Sequence, residues 1–249
     1  MYDIRRQEMS RLINERERIS IKELQQIFPG ISLMTIHRDL DALESTGLIV
    51  KVRGGARSVH HKVDPSLEIR SRENLAGKTI VAQKAAELAK GATCVFLDSG
   101  TTCIALAKIM PDTPMTIVTT GPNVALVLAR LKHPEVTLCP GTLNKENLTV
   151  SGQSTLEFLG NINIDIAFIG VSGYGKTEGF TCGRESEMAV KRRVIRHARQ
   201  TVILCDHTKL SRVMPFTFAK LEEIDCLAID KELPKDLREL ADLSGVTVL

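Results

Sequence analysis

Long apolar runs are absent from the sequence. No stretch approaches the roughly 18 apolar residues that a membrane span requires, and the charged first residues lack the apolar core of a secretory signal. We therefore expect no membrane partner and a cytoplasmic location. The 43% hydrophobic and 25% charged fractions are typical of a globular protein, and 249 residues suffice for one or two domains with buried cores.

Closely spaced cysteines are absent too. The six cysteines form no Cys-x-x-Cys pair and mostly stand within apolar runs, as buried thiols do in a reducing compartment. This pattern indicates neither a disulfide framework nor a zinc site. His60 and His61 are adjacent, but no third ligand lies near them in the sequence, so we interpret them as part of a solvated connector. We expect no metal and no cofactor.

Positive charge is unevenly distributed along the chain. Residues 1–62 contain eleven Lys/Arg and eight Asp/Glu, so the whole formal net charge of +3 lies in the first quarter. A basic segment beside a neutral remainder favours a polyanionic partner for that segment.

Three amphipathic segments follow one another in this basic quarter. The first runs from Ile4 to Asn14, and a capping box formed by Ser20 and Glu23 begins the second. A turn at 28–31, with Pro29 and Gly30, separates the second from a third helix that Ser32 caps and that runs from Leu33 to Thr46, where Gly47 ends it. The predicted inner faces of the second and third helices are Ile21, Leu24 and Ile27, and Leu33, Ile36, Leu40 and Leu43.

Three short helices with a tight turn before the last predict a helix-turn-helix, and the basic segment 48–57 predicts a hairpin wing. A small helical bundle with solvated basic residues is the alternative. It would fit any single basic helix, whereas the succession of helices, turn and wing favours DNA binding. The predicted DNA contacts are Ser32, Thr35, His37, Arg38, Lys51, Arg53, Gly54, Gly55 and Arg57.

The rest of the chain alternates strand and helix patterns. We divide the sequence into a DNA-binding domain at 1–57, a polar linker at 58–66 and an α/β domain at 67–249. The α/β domain begins with a long helix or helix pair over 67–90, interrupted near Gly77. The alternation predicts a mostly parallel, doubly wound sheet. Its predicted strands are 95–97, 116–118, 136–138, 164–169, 201–204, 226–229 and 246–248; its helices are 103–110, 122–131, 154–159, 185–198 and 235–243.

The stretch from Val95 to Thr102 is central to this domain. A buried strand is followed by Asp98-Ser99-Gly100-Thr101-Thr102 and then by a helix, an arrangement that directs backbone N–H groups and hydroxyls at an anion. Gly100 leaves room for the anion and permits a positive φ. The alternative is an ordinary strand-to-helix turn with Thr101 or Thr102 as the helix N-cap.

Other loops at the predicted carboxyl ends of strands are also polar, and ligands bind at this edge of doubly wound sheets. Their hydroxyls, glycines and lysine suit a phosphorylated polyol, although buried Ser and Thr can instead satisfy backbone groups. These loops are 119–121, 141–142, 172–174 and 206–209.

Motifs in the first quarter resemble those of the DeoR family of bacterial transcriptional regulators. They occupy Ile19–Leu24, Thr35–Leu40, Leu43–Ile49 and Arg53–Ala56, in the family's order and spacing. The resemblance implies a winged helix-turn-helix whose recognition helix is 32–46. Two departures are a turn at 28–31 that is one residue longer than usual and His37, which stands where the family usually has Arg.

The resemblance continues into the family's effector domain, at 97–102, 169–173, 179–181 and 206–209. That domain is similar in fold to ribose phosphate isomerase, which implies a phosphate-binding turn at 99–102 and an equivalent of the isomerase's active-site lysine at Lys209. The isomerase's carboxylate-bearing segment falls on 169–172, which has no carboxylate. Thr120, Thr142 and Cys182 depart from the family pattern. The predicted effector contacts are Asp98, Ser99, Gly100, Thr101, Thr102, Thr119, Thr120, Gly141, Glu185, Asp206 and Lys209.

These observations predict a DNA-binding transcriptional regulator, a repressor of a carbohydrate operon whose operator affinity changes when a phosphorylated sugar binds the C-terminal domain. Its partners are a double-stranded DNA operator, the sugar phosphate and a second copy of the chain, as a homodimer or homotetramer. The alternatives are an isomerase-like enzyme with an added DNA-binding segment, in which Glu185 or Glu187 would be the base, and a nucleic-acid-binding scaffold without a ligand. We expect no enzymatic activity, because enolisation needs a general base on the substrate carbon and the segment 169–172 lacks the isomerase's carboxylates.

Overall fold

A computed structural model describes residues 2–16, 18–45, 49–58, 67–210 and 212–249. The chain divides into two compact units, residues 1–65 and 66–249. Within the described ranges, no helix is long and apolar enough to cross a bilayer.

The described residues of the first unit form three helices and a small antiparallel sheet. The strand order is β1-β3-β2, so the hairpin β2–β3 forms the predicted wing, and β1, a strand too short to leave a sequence pattern, extends it. The elements are α1 (Tyr2–Arg16), β1 (Arg18–Ser20), α2 (Ile21–Ile27), α3 (Leu33–Ser45), β2 (Ile49–Val52) and β3 (Gly55–Ser58).

One apolar cluster holds the first unit together. It includes Met9 and Ile13 of α1, Leu24 of α2, and Ile36 and Leu40 of α3. Two residues predicted for inner faces are exposed, Ile27 at 36% and Leu33 at 48%. Ile27 is the last residue of α2 and Leu33 the first of α3, and at these helix ends the apolar side extends past the elements that it packs against. The predicted helix end at Thr46-Gly47 and the histidines at 60–61 lie outside the described residues.

The second unit contains the predicted parallel sheet, now with seven strands in the order β15-β14-β12-β9-β4-β5-β6. All neighbouring strands in it run parallel. Its strands are β4 (Cys94–Leu97), β5 (Thr116–Thr119), β6 (Glu135–Leu138), β9 (Ile164–Gly170), β12 (Ala198–Cys205), β14 (Cys226–Ile229) and β15 (Thr247–Val248).

Helices cover both faces of this sheet, which makes it doubly wound. Successive strand residues point to opposite faces, so Val95 and Leu97 join a cluster with α5, α6 and α7, whereas Phe96 joins a cluster with α8, α9 and α10. The helices are α4 (Leu67–Arg72), α5 (Leu75–Ala86), α6 (Thr101–Ala107), α7 (Pro122–Leu128), α8 (Gln153–Leu159), α9 (Glu185–His197) and α10 (Lys235–Leu243).

Two antiparallel additions were not predicted. A hairpin follows β6, and a three-stranded sheet, order β10-β11-β13, contributes Tyr174, Phe180 and Phe218 to the core beside α9. Their strands are only three or four residues long, and two of them, β10 and β11, contain glycine. They are β7 (Thr142–Asn144), β8 (Thr149–Ser151), β10 (Gly173–Gly175), β11 (Gly179–Cys182) and β13 (Phe216–Ala219).

Two predicted boundaries at the start of this unit are wrong. The break between α4 and α5 lies at Asn74, whose φ of 44° is left-handed, and Gly77 lies inside α5. The helix after β4 begins at Thr101 with Gly100 at the N-cap position, so neither Thr101 nor Thr102 is the cap.

Candidate effector site and DNA-contacting surface

Asp98 lies at the carboxyl end of β4 and organises the turn that follows. Its Oδ1 accepts a hydrogen bond from the Ser99 backbone N at 2.8 Å, and its Oδ2 accepts one from the Gly170 backbone N at 3.1 Å. The same Oδ2 forms an ion pair with Lys191. Asp98 thereby ties the ends of two neighbouring strands, β4 and β9, to helix α9.

Lys191 is the cation of this site, and the sequence analysis did not single it out. Its Nζ also donates to the Gly170 carbonyl at 2.8 Å and lies 5.2 Å from the centre of the Phe218 ring. Burial by itself would lower the pKa of Lys191, but the adjacent Asp98 carboxylate outweighs it and raises that pKa. Lys191 is therefore charged at neutral pH. A lysine between Val190 and Val194 on a buried helix face was the available sequence signal.

A row of polar side chains continues from this ion pair. Ser99 Oγ and Thr149 Oγ1 share a hydrogen bond of 2.5 Å, and the Thr149 backbone N donates to Asn147 Oδ1 at 3.3 Å. The Asn147 amide in turn donates to Glu187 of α9. The hairpin β7–β8, which the sequence analysis missed, thus supplies one wall of the site.

The loop after β5 supplies another wall. The Thr120 carbonyl accepts a hydrogen bond from the Val150 backbone N at 2.8 Å, next to Thr149. Thr120 Oγ1 and Asn123 Nδ2 are buried and have no hydrogen-bond partner among the residues that the structure describes. Thr119, also buried, accepts a bond from the Gly121 N at 3.0 Å, which serves the turn itself.

The turn at Gly100 is open. Of the atoms in the described part of the chain, a Cβ at this position would meet the Gly170 Cα alone, at 3.9 Å. The φ of Gly100 is −67°, so the expected positive φ is wrong and the glycine provides space without any need for left-handed backbone. Thr101 and Thr102 form the first turn of α6, and Thr102 is buried.

Asp206 and Lys209 form a second polar cluster, at the end of β12. Asp206 Oδ1 accepts bonds from Asn74 Nδ2 at 3.1 Å and the Thr208 N at 3.0 Å, while Oδ2 is buried and has no partner within the described ranges. Lys209 Nζ lies 4.0 Å from Glu73 Oε2. Strands β12 and β4 flank β9, so the two clusters are about 10 Å apart along the sheet edge.

Buried Lys78 lies between these groups and α4. Its Nζ donates to the carbonyls of Arg70 and Glu73, the latter at 2.6 Å. Burial, with a contribution from the charge of Lys209, lowers the pKa of Lys78 to about 8. Two lysines are therefore held close together at this end of the sheet.

The remaining predicted effector residues lie at the margins. Gly141 has a φ of 144° and packs its backbone against Thr155, which leaves no space for a side chain. Glu185 is exposed at the start of α9, and Glu187, one helical turn before Lys191, is the carboxylate that contacts the wall residue Asn147. No three His, Cys, Asp or Glu side chains of the described ranges are grouped to hold a metal ion.

On the first unit, Ser32 caps α3 as predicted. Its Oγ accepts a hydrogen bond from the Thr35 backbone N at 3.2 Å and shares one of 2.9 Å with Thr35 Oγ1. Arg38 is exposed and His37 is partly buried. Ile36 and Leu40, on the opposite side of α3, are in the core. The side of α3 that carries Arg38 therefore faces away from the unit.

The predicted DNA contacts on the wing differ in their surroundings. Gly54, with a φ of 82°, makes the turn, and Gly55 packs against Ile19 of β1 where no side chain fits. Lys51 forms an ion pair with Asp41 of α3. Arg53 and Arg57 are exposed.

Comparisons with known proteins assign both units. Residues 5–62 match the family model described as the DeoR-like helix-turn-helix domain, and residues 73–231 match that of the DeoR C-terminal sensor domain. The HTH-type transcriptional repressor GlcR of Bacillus subtilis is 35% identical, over 88% of this chain and 85% of its own. A putative aga operon transcriptional repressor of Escherichia coli O157:H7 is 30% identical, over 98% and 92%.

Among solved structures, ribose 5-phosphate isomerase A from Methanocaldococcus jannaschii aligns with 54% of each chain, at 20% identity and a TM-score of 0.40. The two family matches cover both units, and the two repressors align with most of the chain. The chain belongs to the DeoR family, as a transcriptional regulator with an N-terminal DNA-binding helix-turn-helix domain and a C-terminal sensor domain.

Proposed function

We propose that this regulator is a repressor whose operator affinity changes when a phosphorylated sugar binds at the carboxyl edge of the parallel sheet. The observation that carries the proposal is the buried Asp98–Lys191 pair beside the open turn at Gly100. A charged lysine is costly to bury, and here it lies under a turn lined by backbone N–H groups and hydroxyls.

The site offers complementary chemistry for both halves of such a ligand. Backbone N–H groups of the 99–102 turn can bind a phosphate, with Lys209 and Lys191 as positive charges. The hydroxyls of Ser99, Thr119 and Thr120 and the carboxylate of Asp98 can bind sugar hydroxyls. The orphaned buried atoms, Thr120 Oγ1 and Asp206 Oδ2, gain a partner in this arrangement. Gly141 and Glu185 complete the proposed set at the rim.

Repression and assembly belong to the same proposal. Two of the similar proteins are named as repressors, which supports repression here. Helix-turn-helix proteins commonly bind two half-sites as symmetric dimers, so we propose a homodimer or homotetramer. A protein that acts on chromosomal DNA in a prokaryotic cell works in the cytoplasm, where we place it.

We further propose that the chain does not isomerise sugar phosphates. The segment 169–172, where the isomerase resemblance would require carboxylates, has none, and Gly170 is engaged through its backbone by Asp98 and Lys191. Deuterium exchange at the carbon next to the sugar carbonyl, followed by NMR, tests this directly. Enzyme-dependent exchange of any pentose or hexose phosphate would contradict the proposal and make Glu187 the first candidate base.

The main test uses the full chain and an operator selected by it from a random duplex pool. Sugar phosphates of four to seven carbons are added during a fluorescence-anisotropy titration, and each unphosphorylated sugar serves as the matched control. We expect one phosphorylated sugar to shift the operator affinity by at least about fivefold, as typical allosteric couplings do, while its unphosphorylated form has no effect. Equal responses to both forms would contradict a phosphate-dependent site.

A further inference from the structure

We propose that Met34 is a specificity-determining residue that contacts the 5-methyl group of a thymine in the major groove of the operator. Neither the sequence analysis nor the family resemblance assigned a role to this side chain. Met34 of the recognition helix is 81% exposed, whereas Met9 of α1 in the same unit is completely buried.

The position of Met34 on α3 places it on the DNA-facing side. Met34, Arg38 and Asp41 are four and three residues apart, so they form one stripe along the helix, and all three are exposed. Ile36, Leu40 and Leu43 on the other side are in the core. The stripe ends at the wing, because Asp41 is paired with Lys51. Recognition helices of this type present their amino-terminal residues to base edges, and Met34 is in the first turn of α3.

The two hydroxyl side chains at the start of α3 are partly engaged within the helix itself. The Ser32 and Thr35 hydroxyls are bonded to each other, and Ser32 also caps the Thr35 N. The exposed side chains within the first turn of α3 are apolar, Met34 and the half-exposed Leu33. The one apolar group on a major-groove base edge is the thymine methyl.

Surrounding charge favours DNA over a protein as the occupant of this apolar patch. Exposed Arg38 follows Met34 by one helical turn, and the wing adds exposed Arg53 and Arg57. A flexible, polarisable methionine flanked by exposed cations can follow the shape of a methyl group without a fixed hydrogen-bond geometry.

Deoxyuridine substitution isolates this contact, because it removes the thymine methyl and leaves base pairing unchanged. Each thymine of the selected operator is replaced in turn, and binding of the full chain is measured at one fixed salt concentration. For the unaltered protein we expect about a three- to tenfold loss of affinity at one thymine in each half-site. Met34→Ala should bind the parent operator more weakly and lose no further affinity when that thymine is replaced by deoxyuridine. Met34→Leu should still lose part of its affinity on the same replacement.

Leu126→Ala is the matched control, because Leu126 is 78% exposed but lies on α7 of the sensor domain. It should retain the full deoxyuridine penalty. The proposal is overturned if the unaltered protein is insensitive to every substitution, or if Met34→Ala keeps the penalty while Leu33→Ala loses it. Failure of the full chain to select any sequence would contradict sequence-specific DNA binding itself, and this contact with it.

Discussion

At the scale of single residues, the sensor domain buries a charged lysine at a position where an apolar side chain would have a lower free-energy cost of burial. Lys191 and Asp98 are both nearly inaccessible, yet each satisfies the other and both bond to the Gly170 backbone. Replacing a buried ion pair with apolar groups is often neutral or stabilising, so stability alone is weak grounds for this pair. Ligand binding gives it a reason to be present.

Single and double replacement of the pair should have different outcomes. Lys191→Met should destabilise the sensor domain by about 3–5 kcal/mol, because it leaves the Asp98 carboxylate buried without its cation. The double variant Asp98→Asn/Lys191→Met should recover most of that loss in denaturant unfolding. It should still fail to respond to the sugar phosphate in the anisotropy assay. Normal ligand response in a stable double variant would show that the pair is only structural.

At the scale of elements, a buried carboxylate fixes the recognition helix. Asp39 of α3 is inaccessible and accepts hydrogen bonds from Arg5 at 2.6 Å and Arg6 at 2.9 Å, both on α1. Burial alone would raise the pKa of Asp39, but the hydrogen bonds and charges of the two arginines outweigh it and lower that pKa. The charged form is therefore the one that stabilises the packing of α3 on α1.

The sign of the resulting pH dependence follows from the lowered pKa. The contribution of Asp39 to stability should be complete above about pH 4, the pKa of an unfolded Asp. It should be lost as the pH falls through the lower pKa of the folded state. Asp39→Asn should cost about 1–3 kcal/mol at pH 7, because both arginines remain partly exposed to solvent. The free energies of unfolding of the unaltered protein and Asp39→Asn, measured between pH 2 and 7, should converge at the acid end. A difference in free energy that stays constant with pH would contradict this role.

The helix and the wing should also be separable in DNA binding. Arg38→Ala on α3 should weaken operator binding by about 1–3 kcal/mol and random DNA much less, if Arg38 contacts a base edge. Arg53→Ala on the wing should weaken both duplexes and reduce the salt dependence by about one phosphate contact. Titrations of both variants at several salt concentrations compare them. Equal weakening of operator and random DNA by Arg38→Ala would reassign Arg38 to phosphate binding.

Prediction from the sequence succeeded where a long element or a local turn determined the pattern. The capping box at Ser20, the strand Cys226–Ile229 and the helix Lys235–Leu243 lie where periodicity and cap residues place them. The hairpin β7–β8 was missed because three-residue strands leave no periodicity. Lys191 was missed for a related reason: its partner Asp98 is 93 residues away, and only the folded sheet brings the two together.

At the scale of the whole molecule, sensing requires that ligand and DNA affect each other's affinity. The sensor and the DNA-binding domain are separate compact units of one chain, so the coupling between them must appear as a difference in ligand affinity between DNA-bound and free protein. Thermodynamic linkage then requires one and the same coupling factor in both directions. A variant that weakens ligand binding need not change that factor.

Lys209→Ala provides the test, because Lys209 is buried at the edge of the sheet and its Nζ lies 4.0 Å from Glu73 Oε2. Loss of a charge-assisted hydrogen bond to the phosphate, about 1.5–3 kcal/mol, should raise the sugar phosphate concentration needed for a response by roughly ten- to hundredfold. Operator affinity without ligand, and at saturating ligand, should equal that of the unaltered protein. Calorimetric ligand titrations with and without operator should give the coupling factor found by anisotropy. An unchanged sugar phosphate concentration at half-maximal response would show that Lys209 does not bind the ligand. A changed operator affinity at saturating ligand would show instead that Lys209 takes part in the coupling between the ligand and the DNA.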